Sequence, residues 1–133
     1  MELTIQLREV RGVAILDMSG RITLGDGSVV LRETVREQIA SGKQAIIINL
    51  GDVTYMDSSG LGELISAFTT AKNLGATLRL LDLTKRIRNL MEITKLYTVF
   101  DIYDDEDAAI DSFRQQGARI PLAAVGREQD TLP

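Results

Sequence analysis

The chain contains no cysteine and no histidine. Without cysteine there is no disulfide and no thiolate metal site, and a reducing compartment, the cytoplasm, is the expected setting. Without histidine there is no Ser-His-Asp triad, no imidazole base and no His-ligated metal. No apolar run reaches the length of about 18 residues that a membrane-crossing helix needs. The opening residues Met1-Glu2-Leu3-Thr4 lack the charged-then-apolar layout of a secretory signal. A basic excess is missing as well, since the formal net charge is −4. That argues against direct nucleic-acid binding, which rests on Lys and Arg neutralising phosphates. What is present suits one folded domain: 133 residues, 44% apolar and 26% charged, are enough to build one core.

Apolar periodicity then divides the chain. Leu3 to Leu7 alternates with period two, Val13 to Met18 follows after a turn, and the pair predicts an N-terminal hairpin. Gly20 to Gly27 is punctuated by glycine and predicts a loop. Ser28 opens a helix with Val30, Leu31, Val35, Gln38 and Ile39 on one face, closed by Gly42. Ala45 to Leu50 is apolar on both faces, as in a central strand covered by helices. Leu61, Leu64, Ile65, Phe68 and Ala71 recur at helical spacing up to Gly75. Thr77 to Leu83 predicts a strand, and Thr84 caps a helix with Ile87, Leu90, Met91 and Thr94 inward. Val99 to Tyr103 predicts a last strand. Asp104 to Gln116 predicts a last helix burying Ala109, Ile110 and Phe113, stopped by Gly117. The fold class is therefore α/β: one mixed sheet of about five strands, an N-terminal hairpin followed by parallel β-α-β units, with about four helices packed on it. The domain is expected over 1–117, and 118–133, which shows no period, as a flexible tail.

The stretch Tyr55-Met56-Asp57-Ser58-Ser59-Gly60-Leu61-Gly62-Glu63-Leu64 joins the central strand to the next helix. Asp and Ser suit a helix start because their side-chain oxygens accept unpaired first-turn N–H groups. The same N–H groups and the helix dipole favour a phosphate there. Gly60 and Gly62 cost about 1 kcal/mol each relative to Ala in a helix. They would leave the first turn uncovered for another protein's approach. On residue chemistry alone, Asp57 either caps the helix or orients the Ser58 hydroxyl, and Ser58 and Ser59 are either caps or functional hydroxyls.

The run Val53 to Gly62 resembles the signature of the STAS domain, and more narrowly that of bacterial anti-sigma factor antagonists. The likeness covers roughly residues 2 to 117. It implies that Ser58 is phosphorylated by a partner that is both serine protein kinase and anti-sigma factor. It also implies that the unphosphorylated chain binds that partner and frees a sigma factor, and that a serine phosphatase resets the switch. The expected partner-binding residues are Asp57, Ser58, Ser59, Gly60, Gly62, Thr23 and Asp26. Many antagonists of this family carry an Asp where this chain has Thr23, in Gly20-Arg21-Ile22-Thr23-Leu24-Gly25-Asp26-Gly27, so Asp26 is a candidate substitute. Such a switch is not an enzyme and needs no catalytic residue, metal or cofactor of its own. Two other readings remain. One is a scaffold subunit of a stress-signalling assembly, which the same family supplies. The other is a serine hydrolase using Ser58 or Ser59, for which only Asp57 or a Lys is available as base and for which a Gly-x-Ser-x-Gly elbow is lacking.

Three further clusters are weaker candidates. Lys85, Arg86 and Arg88 gather at a helix start, as a solvated face or a contact for acidic groups. Asp104-Asp105-Glu106-Asp107 lacks calcium-loop spacing and suits the first turn of a helix. Gly25-Asp26-Gly27 lacks the Lys of a phosphate-binding loop and reads as a tight turn.

Overall fold

The computed structural model describes residues 3–23 and 26–119. Five strands form one sheet: β1 (Thr4–Val10), β2 (Val13–Ile22), β3 (Ala45–Met56), β4 (Thr77–Leu81) and β5 (Ile102–Tyr103). They lie side by side in chain order. β1 runs antiparallel to β2, and β2 to β5 are mutually parallel. Helices α1 (Asp26–Ala40), α2 (Ser58–Asn73) and α3 (Lys85–Thr94) form the successive crossovers, and α4 (Glu106–Arg119) closes the chain. The expected hairpin, the parallel units and the four helices are all present.

The sheet is covered on both faces. On one, Leu31 and Val35 of α1, Leu61 and Leu64 of α2, and Ile87 and Met91 of α3 pack on Leu16, Ile46, Ile48 and Leu80. On the other, α4, the one helix there among the described residues, sets Ala109, Ile110 and Phe113 against Val13, Ile15, Ile47 and Leu81. Ile46, Ile47 and Ile48 are all fully buried, so the unbroken apolar run of β3 reflects a strand sealed on both sides. Burying each such side chain stabilises the fold by about 1.5–3 kcal/mol. Gly42 and Gly75 follow α1 and α2 with φ of +102° and +86°, the left-handed geometry in which glycine ends a helix without a Cβ penalty.

Several boundaries differ from the sequence reading. β2 continues four residues beyond Met18, so Gly20, Arg21 and Ile22 are strand rather than loop. β3 likewise continues to Met56. Residues 19–22 pair with 52–56 across two register shifts. Polar residues such as Asp17, Ser19 and Asp52 interrupt the apolar period there, while the backbone ladder carries on. α1 starts at Asp26, ahead of Ser28. β4 ends at Leu81, and β5 is reduced to two residues because Leu96–Thr98 forms a single 3-10 turn before it. α4 runs past Gly117 to Arg119, as a helix can at a cost of about 1 kcal/mol for an internal glycine. The remainder of the expected tail, 120–133, lies outside the described residues.

Candidate functional site

β3 pairs with β4 only through residues 45–49. Beyond that point β2 and β3 continue together, and the chain leaves Met56 at the tip of this two-stranded extension. Asp57 has extended backbone (φ −105°, ψ −172°) and is the N-cap of α2. Its Oδ1 accepts a hydrogen bond from the Gly60 N–H at 2.8 Å, and its carbonyl accepts from the Leu61 N–H at 2.9 Å. The carboxylate therefore caps the helix through one of its two oxygens.

Ser58 and Ser59 occupy the first two helical positions, and both are exposed. Neither hydroxyl has a protein hydrogen-bond partner among the described residues. Ser58 is thus reachable by another protein, with its oxygen uncommitted, over first-turn N–H groups that carry partial positive charge.

The two glycines divide the work differently from the sequence reading. Gly60 is buried, and a β-carbon built on it would lie 1.9 Å from the Ile22 carbonyl oxygen and 2.7 Å from its carbon. The close approach it permits is internal: it lets the start of α2 rest on the end of β2. The expectation that Gly60 opens the first turn to a partner is corrected accordingly. Gly62 has no atom within 4 Å of such a β-carbon and is half-exposed, so it does leave the helix uncovered. Thr23 follows β2 directly, half-buried, at the strand end that Gly60 touches. Asp26 opens α1, and its side chain lies outside the described residues. Arg32 of α1 approaches Glu63 of α2 at 3.3 Å, a cross-helix pair behind the corner that the sequence did not indicate.

The remaining candidates separate. Arg88 is paired with Asp104 at 2.8 Å, while Arg86 lies over the Tyr55 ring, 5.1 Å from its centre. Arg21 lies over the same ring at 4.5 Å. Tyr55 and Arg21 were not singled out from sequence, because the contact depends on the β2–β3 register beyond Leu50. The acids of 105–107 serve α4: Asp105 caps it by accepting from the Ala108 N–H at 2.9 Å, Glu106 pairs with Arg8 at 2.8 Å, and Asp107 pairs with Arg11 at 2.8 Å. No group of carboxylates among the described residues is arranged to hold a metal ion. Asp57, the acid nearest Ser58 in sequence, has one carboxylate oxygen engaged by the Gly60 N–H.

Comparison with known proteins points to one family. The family model described as the STAS domain matches residues 4–109. The anti-sigma-B factor antagonist of Listeria monocytogenes is 30% identical over 110 residues, covering 80% of this chain and 93% of that protein. The crystal structure of a putative anti-sigma factor antagonist from Thermotoga maritima superposes with a TM-score of 0.74 at 21% identity, covering 83% of this chain and 94% of that one. The Bacillus cell fate determinant SpoIIAA matches in its unphosphorylated form with a TM-score of 0.62 at 23% identity, covering 84% of this chain and 98% of that one. Its phosphorylated form matches with a TM-score of 0.64 at 22% identity, covering 84% and 100%.

Proposed function

We propose, for a chain that belongs to the STAS domain family, that it is an anti-sigma factor antagonist whose choice of partner is set by phosphorylation of Ser58. Unphosphorylated, it binds an anti-sigma factor that is also a serine protein kinase, through a surface centred on Asp57, Ser58, Ser59 and Gly62 with Thr23 and Asp26 at its margin. The sigma factor held by that partner is released. Phosphorylated, the chain lets go, and a serine phosphatase resets it. It performs no catalysis of its own and works in the cytoplasm, where its partners act. The domain runs to the end of α4 at Arg119, two residues past the boundary expected from sequence. The observation that carries this reading is the exposed Ser58 hydroxyl at the first position of α2, without a protein partner among the described residues and beside an acid already engaged as cap.

The physical mechanism is a block at the interface. A phosphoryl group adds a charge of about −1.5 to −2. The N-terminus of α2 would favour it by roughly 0.3–1 kcal/mol, and the adjacent Asp57 carboxylate would oppose it by a comparable amount at the surface, so the fold is retained. A partner surface closed over Ser58 is another matter. Desolvating an unpaired dianion costs several kcal/mol, and about 3–4 kcal/mol already weakens binding by hundreds-fold.

Incubation with the kinase and ATP, followed by intact-mass measurement, tests the assignment. One added phosphate is expected, absent in Ser58→Ala. A mass increase that persists in Ser58→Ala would place the modification elsewhere and contradict the reading.

A further inference from the structure

We infer that Arg21, Tyr55 and Arg86 form a second docking contact beside the Ser58 corner, shaped for closely spaced carboxylates of the anti-sigma partner. The inference rests on the antagonist reading and adds the chemistry of the partner's matching surface.

Arg8, Arg11, Arg32, Arg79 and Arg88 each have a carboxylate within 4.0 Å. Among the described residues, Arg21 and Arg86 do not. They come from different elements, β2 and the start of α3, and converge on one aromatic ring at 4.5 and 5.1 Å from its centre. Both are exposed, and Tyr55 is half-buried between strand and solvent. Two guanidinium groups gathered at one ring, in a chain of formal charge −4, make a local positive patch. A guanidinium stacked on a ring keeps its in-plane N–H groups available for carboxylate oxygens. Stacking also restricts the side chain before binding, so less freedom is lost when a carboxylate arrives.

Its place in the fold ties this patch to the switch. Tyr55 lies three residues before Ser58 on the same strand-to-helix passage. Arg21 pairs with Tyr55 across the ladder and immediately precedes Ile22, on whose carbonyl Gly60 rests. A protein surface that closes over Ser58 therefore extends over the two arginines, and acidic groups at that edge complement them and steer the encounter.

The test is titration calorimetry with the purified anti-sigma factor that the Ser58→Ala chain retains, at low and high salt. Arg21→Gln and Arg86→Gln should each weaken binding about tenfold and the double variant about a hundredfold, with a shallower salt dependence. Arg36→Gln, an exposed arginine on α1, should bind as wild type. A urea midpoint matching wild type confirms that each variant is folded. A double variant with wild-type affinity and salt slope, while Ser58→Asp still loses the partner, overturns this inference and leaves the antagonist reading intact. A chain that retains no anti-sigma factor in either Ser58 state overturns both.

Discussion

Gly60 and Gly62 share a helix turn and a residue type yet have opposite reasons to be glycine. A methyl group on Gly60 would collide with the Ile22 backbone, which cannot swing aside as a flexible side chain could. Gly60→Ala should therefore destabilise the fold by about 3 kcal/mol or more. Gly62→Ala meets open space and should stabilise it by about 0.5–1 kcal/mol through helix propensity. Urea unfolding of the two variants checks both signs; equal effects would contradict the assignment. Asp57→Ala removes the acceptor of the Gly60 N–H and should cost about 1 kcal/mol, measurable in the same series. Of these roles, the Asp57 cap was legible in sequence because capping chemistry is local. The Gly60 contact was not, because Ile22 reaches it only through the fold.

Between elements, the attachment of α4 depends on charge. Arg8 of β1 holds Asp17 of β2 and Glu106 of α4 together, and Asn49 of β3 donates to Asp17 at 2.9 Å. Hydrogen bonding from Arg8 holds the Asp17 carboxyl below its usual range, against an opposing effect of burial. A carboxyl depressed in the folded state contributes stability above its unfolded value of about 3.8, and loses it as pH falls through the lower folded value. Asp17→Asn should thus lower the unfolding midpoint at neutral pH, and the deficit should narrow in acid. Asp82 behaves oppositely. Burial raises its carboxyl, helped by Asp104, Glu106 and Asp105. The folded state prefers it protonated, so stability associated with Asp82 is present below about 3.8 and lost as pH rises through the folded value. Asp82→Asn should raise the midpoint at neutral pH and lose that gain in acid. Asn also accepts the left-handed backbone at this position, where φ is 60°. Chemical denaturation across pH distinguishes the two variants; parallel pH curves would contradict both assignments.

At this same scale, periodicity identified every α-helix and strand among the described residues, because each buries a one-sided stripe or, for β2, β3 and β4, both faces. It failed where polar residues take up backbone pairing, at residues 19–22 and 52–56. It also could not say that α4 packs on the face of the sheet opposite α1, α2 and α3.

Taken whole, the molecule is an acidic domain whose strand-to-helix corner carries an exposed hydroxyl and whose adjoining rim carries two arginines on one tyrosine. The Ser58 corner was readable from a few consecutive residues. The rim required the β2–β3 register and the placement of α3, neither of which short-range pattern encodes. The most direct measurement compares one purified anti-sigma factor binding to the unmodified chain and to the chain phosphorylated at Ser58, with urea unfolding of both. Affinity should fall by about a hundredfold or more while the unfolding midpoint stays in place. Equal affinity of the two forms, or a loss of binding that tracks loss of folding, would contradict the interface block.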